Sequence, residues 1–173
     1  MDDAVGQYLK LRDEVDRRAA ELARRHGRHI VCRPGCSACC VNLTVLPVEF
    51  EAIRRSLAGA AGPAVSFDGQ APCGYLVDGL CAIYPQRPII CRTHGLPIAF
   101  RNDEDQEWSV SFCERNFANA GQRDLEFGPE STLDLDDLND RLARINLAYL
   151  VGAGARGPTP GSRIELRRLV EDD

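Results

Sequence analysis

The chain has 173 residues, a formal net charge of −5 and 44% hydrophobic residues. This composition fits one soluble domain with its own core, and no apolar run approaches the ~20 residues of a membrane-spanning helix. The acidic balance argues against a nucleic-acid-binding domain, which carries a basic face. The acidic start, Met1-Asp2-Asp3-Ala4-Val5-Gly6, lacks the basic and apolar regions of a signal peptide, so the reading is cytoplasmic. In that compartment thiols stay reduced, and the 8 cysteines then read as ligands or redox groups before disulfides.

In chain order, residues 4–26 are expected to be helical. Tyr8, Leu11, Val15, Ala19 and Leu22 recur at helical spacing, and Gly27 stands where a C-cap belongs. Val41 to Leu46 reads as a short strand. Pro47 suits the first turn of a helix whose apolar face is Phe50, Ile53 and Leu57, ending at Gly59. Residues 58–72 are rich in Ala, Gly and Pro and read as a loop. Residues 73–84 read as a hairpin around Asp78-Gly79, with Val77 opposite Leu80 and Leu76 opposite Cys81. Regular alternation would put Cys73 and Cys81 on opposite faces, so they can share a metal only if the ladder breaks near Gly74.

Pro85 and Pro88 stop regular structure, and Cys91 is expected after a rigid turn. Leu96–Phe100 and Glu107–Phe112 read as a second hairpin across the tip Asn102–Gln106. Trp108, Val110 and Phe112 form its core face, and Cys113 lies at its end. Residues 117–130 read as irregular. A long helix is expected over 133–151, with Leu135, Leu138, Leu142, Ile145 and Tyr149 inward. Gly157–Gly161 is a linker, and Ser162-Arg163-Ile164-Glu165 matches a capping box that would open a last short helix.

The chemistry is concentrated in the cysteines. Cys32, Cys36, Cys39 and Cys40 fall within nine residues, and Cys73, Cys81, Cys91 and Cys113 follow. Cys36-x-x-Cys39 has the reach of two sulfurs on one tetrahedral ion. The side chains of the neighbours Cys39 and Cys40 tend to diverge. Cys40 therefore serves a second metal, or a bridging sulfur joins two metals, or Cys40 is a structural thiol. Eight thiols can make two four-sulfur sites, or one cluster with spare structural or redox thiols. Four disulfides would also explain an even count, but adjacent Cys39-Cys40 would form a strained pair. The better model recruits Cys73, Cys81, Cys91 and Cys113, so that the first four cysteines are half of a shared site.

One dense cluster with isolated partners stands closer to iron–sulfur ligation than to the paired arrays of zinc fingers, though it is not the ferredoxin run. Arg33, Arg87, Arg92 and Arg115 sit beside cysteines in a chain whose only lysine is Lys10, and could offset thiolate charge. His94 reads as a turn residue rather than a ligand. His26 and His29 read as solvated residues at a helix end and loop.

Cys32-x3-Cys36-x2-Cys39-Cys40, then Cys73, then Cys81-Ala82-Ile83-Tyr84-Pro85-Gln86-Arg87-Pro88-Ile89-Ile90-Cys91-Arg92, resembles the YkgJ-type cysteine-cluster family over about residues 30–115. That family is described as a zinc- or iron-chelating domain with eight cysteines. Its commoner first spacing is two, where this chain has three. The resemblance implies metal chelation through Cys32, Cys36, Cys39, Cys40, Cys73, Cys81, Cys91 and Cys113. A related cluster in the flagellin lysine methylase keeps an enzyme in view.

The expectation is therefore an α+β single domain over 1–156. It has an irregular cysteine-rich core at about 30–115, helices at about 4–26 and 133–151, and 157–173 as linker and short C-terminal helix. Its expected function is metal binding, of zinc or iron including an iron–sulfur cluster. The partner is a metal ion, with no nucleic acid and no membrane. Two alternatives are a redox or methyl-transfer enzyme using the metal centre, and a protein-interaction module that uses metal to fold.

Overall fold

Asp2 and Asp3 in the first turn and Arg24 and Arg25 in the last oppose the helix dipole of α1, Asp2–Arg25. The computed structural model describes residues 2–58, 72–154 and 159–169. The expected helix stop at Gly59, most of the 58–72 loop and the first half of the Gly157–Gly161 linker lie outside those residues. The inward face of α1 carries Val5, Tyr8, Leu11, Val15 and Leu22, all buried. The chain leaves α1 through a turn in which Gly27 donates to the Arg24 carbonyl (3.3 Å). Gly27 is not left-handed, so the expected glycine cap does not form.

Against α1 pack α2 (Pro47–Leu57), α3 (Ile89–Thr93) and α4 (Leu135–Gly152). They share one core that includes Leu46, Val48, Ala52, Ile89, Leu133, Leu138 and Leu142. Pro47 opens α2 as its residue type favours. Asp134 caps α4, accepting from the Asp137 amide at 3.0 Å. The fold is α+β and a single small domain, with long helices toward both ends of the chain. No helix among the described residues is long and apolar enough to cross a membrane.

The strands are short. β2 (Leu76–Val77) and β3 (Leu80–Cys81) form the expected hairpin, with Val77 opposite Leu80 and Leu76 opposite Cys81. Asp78 and Gly79 both take positive φ, +50° and +78°, as a type I′ turn requires. β4 (Ile98–Arg101) pairs antiparallel with β5 (Trp108–Ser111), close to the expected second hairpin. On the other side of β4 lies β6 (Leu133–Asp134), parallel to it, so the first two residues of the expected 133–151 helix are strand. β5 is thus an edge strand, and its expected core face is only partly covered. Val110 and Phe112 are half-buried, but Trp108 is 56% exposed with the Arg101 guanidinium 5.5 Å from its ring centre.

β1 is confined to Thr44–Val45 and pairs with β7, Ile164–Glu165. Ser162–Glu165 therefore does not open an α-helix. Ser162 Oγ accepts from the Thr159 amide (2.8 Å), and Leu166–Leu169 follows as a 3₁₀ turn. The backbone pairing to β1 and the burial of Leu166 and Leu169 outweigh the local cap. Those two leucines join Val45, Ile53, Tyr75 and Ile83 in a second small core, on which Cys73 and Cys81 rest. Tyr75 donates its hydroxyl to the Leu166 carbonyl (2.9 Å) inside it.

Two buried polar side chains tie these parts together. Asn146, fully buried on α4, accepts from the Val48 amide and donates to the Pro160 carbonyl, each at 3.2 Å. Glu49, on α2, accepts from Leu46 N at 3.1 Å and from Ile89 N at 3.2 Å. One carboxylate thus caps α2 from its third residue and holds the first residue of α3. Burial pushes its pKa up. Glu49→Gln leaves an amide NH₂ facing one of two backbone donors. Equilibrium denaturation should show a loss of about 1–3 kcal/mol, the cost of a buried group left unpaired. Asn146→Leu should cost a similar ~1–3 kcal/mol by the same route, and the two losses should be coupled, because both side chains serve amides of the first turn of α2.

Candidate metal centre

Two successive turns bring the first four cysteines to hand. In Arg33–Cys36 the Cys36 amide donates to the Arg33 carbonyl, and in Ser37–Cys40 the Cys40 amide donates to Ser37, both at 2.9 Å. Pro34 occupies the second place of the first turn and Gly35 the third with φ +89°, the type II arrangement. Such turns stand the sulfurs off the helical core, and Cys32 and Cys39 are exposed. All eight cysteines are free thiols.

Cys113 reaches Cys32 from the far end of the β4–β5 hairpin, through Asn116. The Asn116 amide is almost fully buried. Its Oδ1 accepts from Val31 N (3.0 Å), and its Nδ2 donates to the Gly95 carbonyl (2.5 Å) and lies 3.6 Å from Cys32 Sγ. Asn116 N in turn donates to the Cys113 carbonyl (2.9 Å). Gly95 stands between these groups with φ +88°. A Cβ added there would lie 3.0 Å from Cys32 Sγ and 3.8 Å from Cys113 Cβ. Next to Asn116, Phe117 is buried at φ +60° and stacks on His29, in a cluster with His26, Phe112 and Phe127. Backbone strain at a bulky residue persists only where surroundings impose it, and here that ring cluster does so.

The histidines are accordingly not solvated. His26 is buried, its Nε2 2.8 Å from the Ser131 carbonyl, and His29 is half-buried on Phe117 with Asp124 beside it. Both are packing residues. His94 caps the end of α3, half-buried, and burial lowers its pKa.

The other four thiols gather beneath the β2–β3 hairpin and α3. The ladder does break near Gly74. Cys73 lies in a turn closed by Leu76 N on its carbonyl (3.0 Å), Gly74 N donates to Asn42 Oδ1 (3.3 Å), and Cys73 and Cys81 rest on the same small core. Cys91 does not follow a bare turn. Pro88 stands at the N-cap of α3, and Cys91 is carried inside that helix. Arg87 lies over Tyr84 with its guanidinium 3.6 Å from the ring centre and donates to the Cys91 carbonyl (3.2 Å). Its charge acts on the Cys40, Cys81 and Cys91 thiols. Arg92, its side chain only 5% exposed, binds the carbonyls of Pro85 and Arg87 and the Asp16 carboxylate, fastening this turn to α1. Arg33 and Arg115 are exposed.

Burial is the first cause of every upward thiol shift. It raises Cys32, Cys40 and Cys81 and pushes Cys91 up to about 12. Neighbouring thiols add to it. Cys32 feels Cys36, Cys113 and Cys39, whereas Cys91 feels Cys73, Cys81 and Cys40. All eight sequence-predicted residues thus fall into two neighbourhoods. Among the described residues, no three Cys, His, Asp or Glu side chains already stand in an ion-coordinating arrangement. The neighbourhoods are loosely gathered thiols rather than closed ligand spheres.

Sequence reading missed Asn116, Gly95 and Glu49. Only Glu49 carried a signal, as the acidic residue three places after a helix start. Gly95→Ala places a Cβ against the Cys32 sulfur at a left-handed φ, so denaturation should show a loss of about 1–3 kcal/mol.

No curated protein and no solved structure matches the chain. Residues 31–114, just under half of the chain and the span of all eight cysteines, match the CxxCxxCC family model. Over those residues the chain is similar to that family, described as "Putative zinc- or iron-chelating domain".

Proposed function

We propose that the eight cysteines bind a thiophilic metal, zinc or iron, with iron–sulfur ligation favoured by the one dense cluster and its isolated partners. The observation that carries this reading is the gathering of eight free thiols from five chain segments into two neighbourhoods at the edge of the helical core. The donor set fits such a group, since thiolates are the preferred ligands of zinc and of iron–sulfur clusters. Inert core cysteines would instead be buried singly among apolar side chains.

Cys32, Cys36, Cys39, Cys40, Cys73, Cys81, Cys91 and Cys113 would hold the metal. A bound metal supplies cross-linking of the loops and, with iron, one-electron chemistry. The chain's own residues do the rest. Asn116 orients Cys32. Glu49 fixes the start of the helix that presents Cys91. Arg87 offsets thiolate charge, which a divalent ion does not cancel when four thiolates bind it. A polar cavity of about 370 Å³ lies between α1 and the start of α4, with Glu14, Arg17, Arg18 and Arg141 in its wall and no cysteine.

Anaerobic purification followed by elemental analysis should find at least one zinc or iron per chain. A brown solution with visible sulfur-to-iron absorption identifies iron, and a colourless one identifies zinc. Less than one ion per chain would sink the proposal. Removing the metal with a chelator should lower stability, by about 2.7 kcal/mol relative to protein held at a free ion concentration one hundred times Kd. Urea denaturation with and without the chelator measures it.

A further inference from the structure

We infer that the eight thiols form two separate four-sulfur centres that share no ligand. Cys32, Cys36, Cys39 and Cys113 make the first, and Cys40, Cys73, Cys81 and Cys91 the second. The Cys39–Cys40 peptide bond is the junction between them. The inference rests on the metal-binding reading above and assigns each sulfur within it.

Three observations carry it. The first is the neighbourhood of each thiol. Cys32 lies within electrostatic reach of Cys36, Cys39 and Cys113, while Cys91 lies within reach of Cys40, Cys73 and Cys81. Cys40 has Cys39, its chain neighbour, on one side and Cys73 and Cys81 on the other. Cys39 in turn neighbours Cys32 and Cys40, so the two sets meet at this one peptide bond, where adjacent side chains tend to diverge.

The second is that each set has its own supports. Cys32 and Cys113 converge above Gly95, where a Cβ would meet both, and Asn116 links their two segments. The second set has none of those supports. Cys73 and Cys81 sit on the small core of Val45, Tyr75 and Ile83, and Cys91 rides on α3, pinned by Glu49. A single cluster would need one framework, and the structure provides two.

The third is countercharge. Arg87, immobilised on Tyr84, acts on three thiols of the second set. At Cys32 the polar partner is a neutral amide, Asn116. The second centre therefore has a stacked, partly buried cationic partner for its net negative charge, whereas Arg33 and Arg115, beside the first set, are exposed.

Cobalt(II) titration of the reduced, full-length chain tests the assignment, read by thiolate-to-cobalt absorption. The wild type should take up two ions. Cys113→Ser should lose one and Cys81→Ser the other, each variant keeping one ion. Arg87→Gln should weaken one of the two binding steps by about 10–100-fold, as loss of an outer-shell partner does, and leave the other unchanged. X-ray absorption on the zinc-loaded wild type needs no variant to fold. It should show four sulfurs per zinc at about 2.3 Å and no short zinc–zinc vector. Uptake of one ion, loss of both ions from either single substitution, or a short metal–metal vector would overturn the two-centre assignment while leaving chelation standing. No uptake by the wild type would overturn both.

Discussion

The carboxylate of Glu49 is the interaction on which the two halves of this molecule depend. It lies on α2 inside the helical core, yet one oxygen serves α2 itself and the other holds the first amide of α3, the helix that carries Cys91. A buried carboxylate is expensive unless its lone pairs are used. Here two backbone donors that would otherwise be unpaired use them. The Tyr8 hydroxyl of α1 is buried close by without a closed hydrogen bond among the described residues. Three helices thus meet around one acid, and the cysteine region inherits its orientation from that meeting.

From there the architecture divides by physical task. α1, α2 and α4 pack their apolar faces into one core. The strands near the thiols are two residues long, and such ladders contribute little by themselves. Their positions are set instead by side chains: Asn42 on Gly74, Tyr75 on Leu166, Asn116 on Val31 and Gly95. Each link is a single hydrogen bond worth roughly 0.5–1.5 kcal/mol. A metal bound to four thiolates adds far more constraint than any of them.

What the sequence disclosed follows the range of the forces involved. The Asp78-Gly79 hairpin was readable to the residue pair, because a type I′ turn and its register are decided locally. α1 and α4 were readable because their apolar stripes repeat at 3.6 residues. β6 beside β4 and β7 beside β1 were not, since a two-residue strand has no period and its partner lies far along the chain. For the same reason the capping-box pattern at Ser162 misled: a local signal was outweighed by pairing with Thr44–Val45. Trp108 misled in the other direction, as alternation shows which residues share a face but not whether anything covers it. The four cysteines within nine residues stand out by their spacing alone. The supports around the eight cysteines did not stand out, because Asn116 and the Arg87 turn meet them only through the fold.

The break in the hairpin ladder shows how tight turns place the thiols. Had β2 continued back from Leu76 to Cys73 in regular alternation, Cys73 and Cys81 would face opposite ways. The turn at Cys73–Leu76 removes the alternation and lets both sulfurs rest on one small core. On the other side, the Pro34-Gly35 turn and the Ser37–Cys40 turn follow each other directly, so Cys36 and Cys40 each close a bend and Cys39 stands at the third place of the second. Cys40 then leaves toward the hairpin. The Pro34-Gly35 turn lies between Cys32 and Cys36, and Cys32 Sγ stands 3.6 Å from Asn116 Nδ2. The irregular middle of the chain is irregular for a reason: helices or long strands would space the thiols by their own periods, whereas successive tight turns can present adjacent residues to different neighbours.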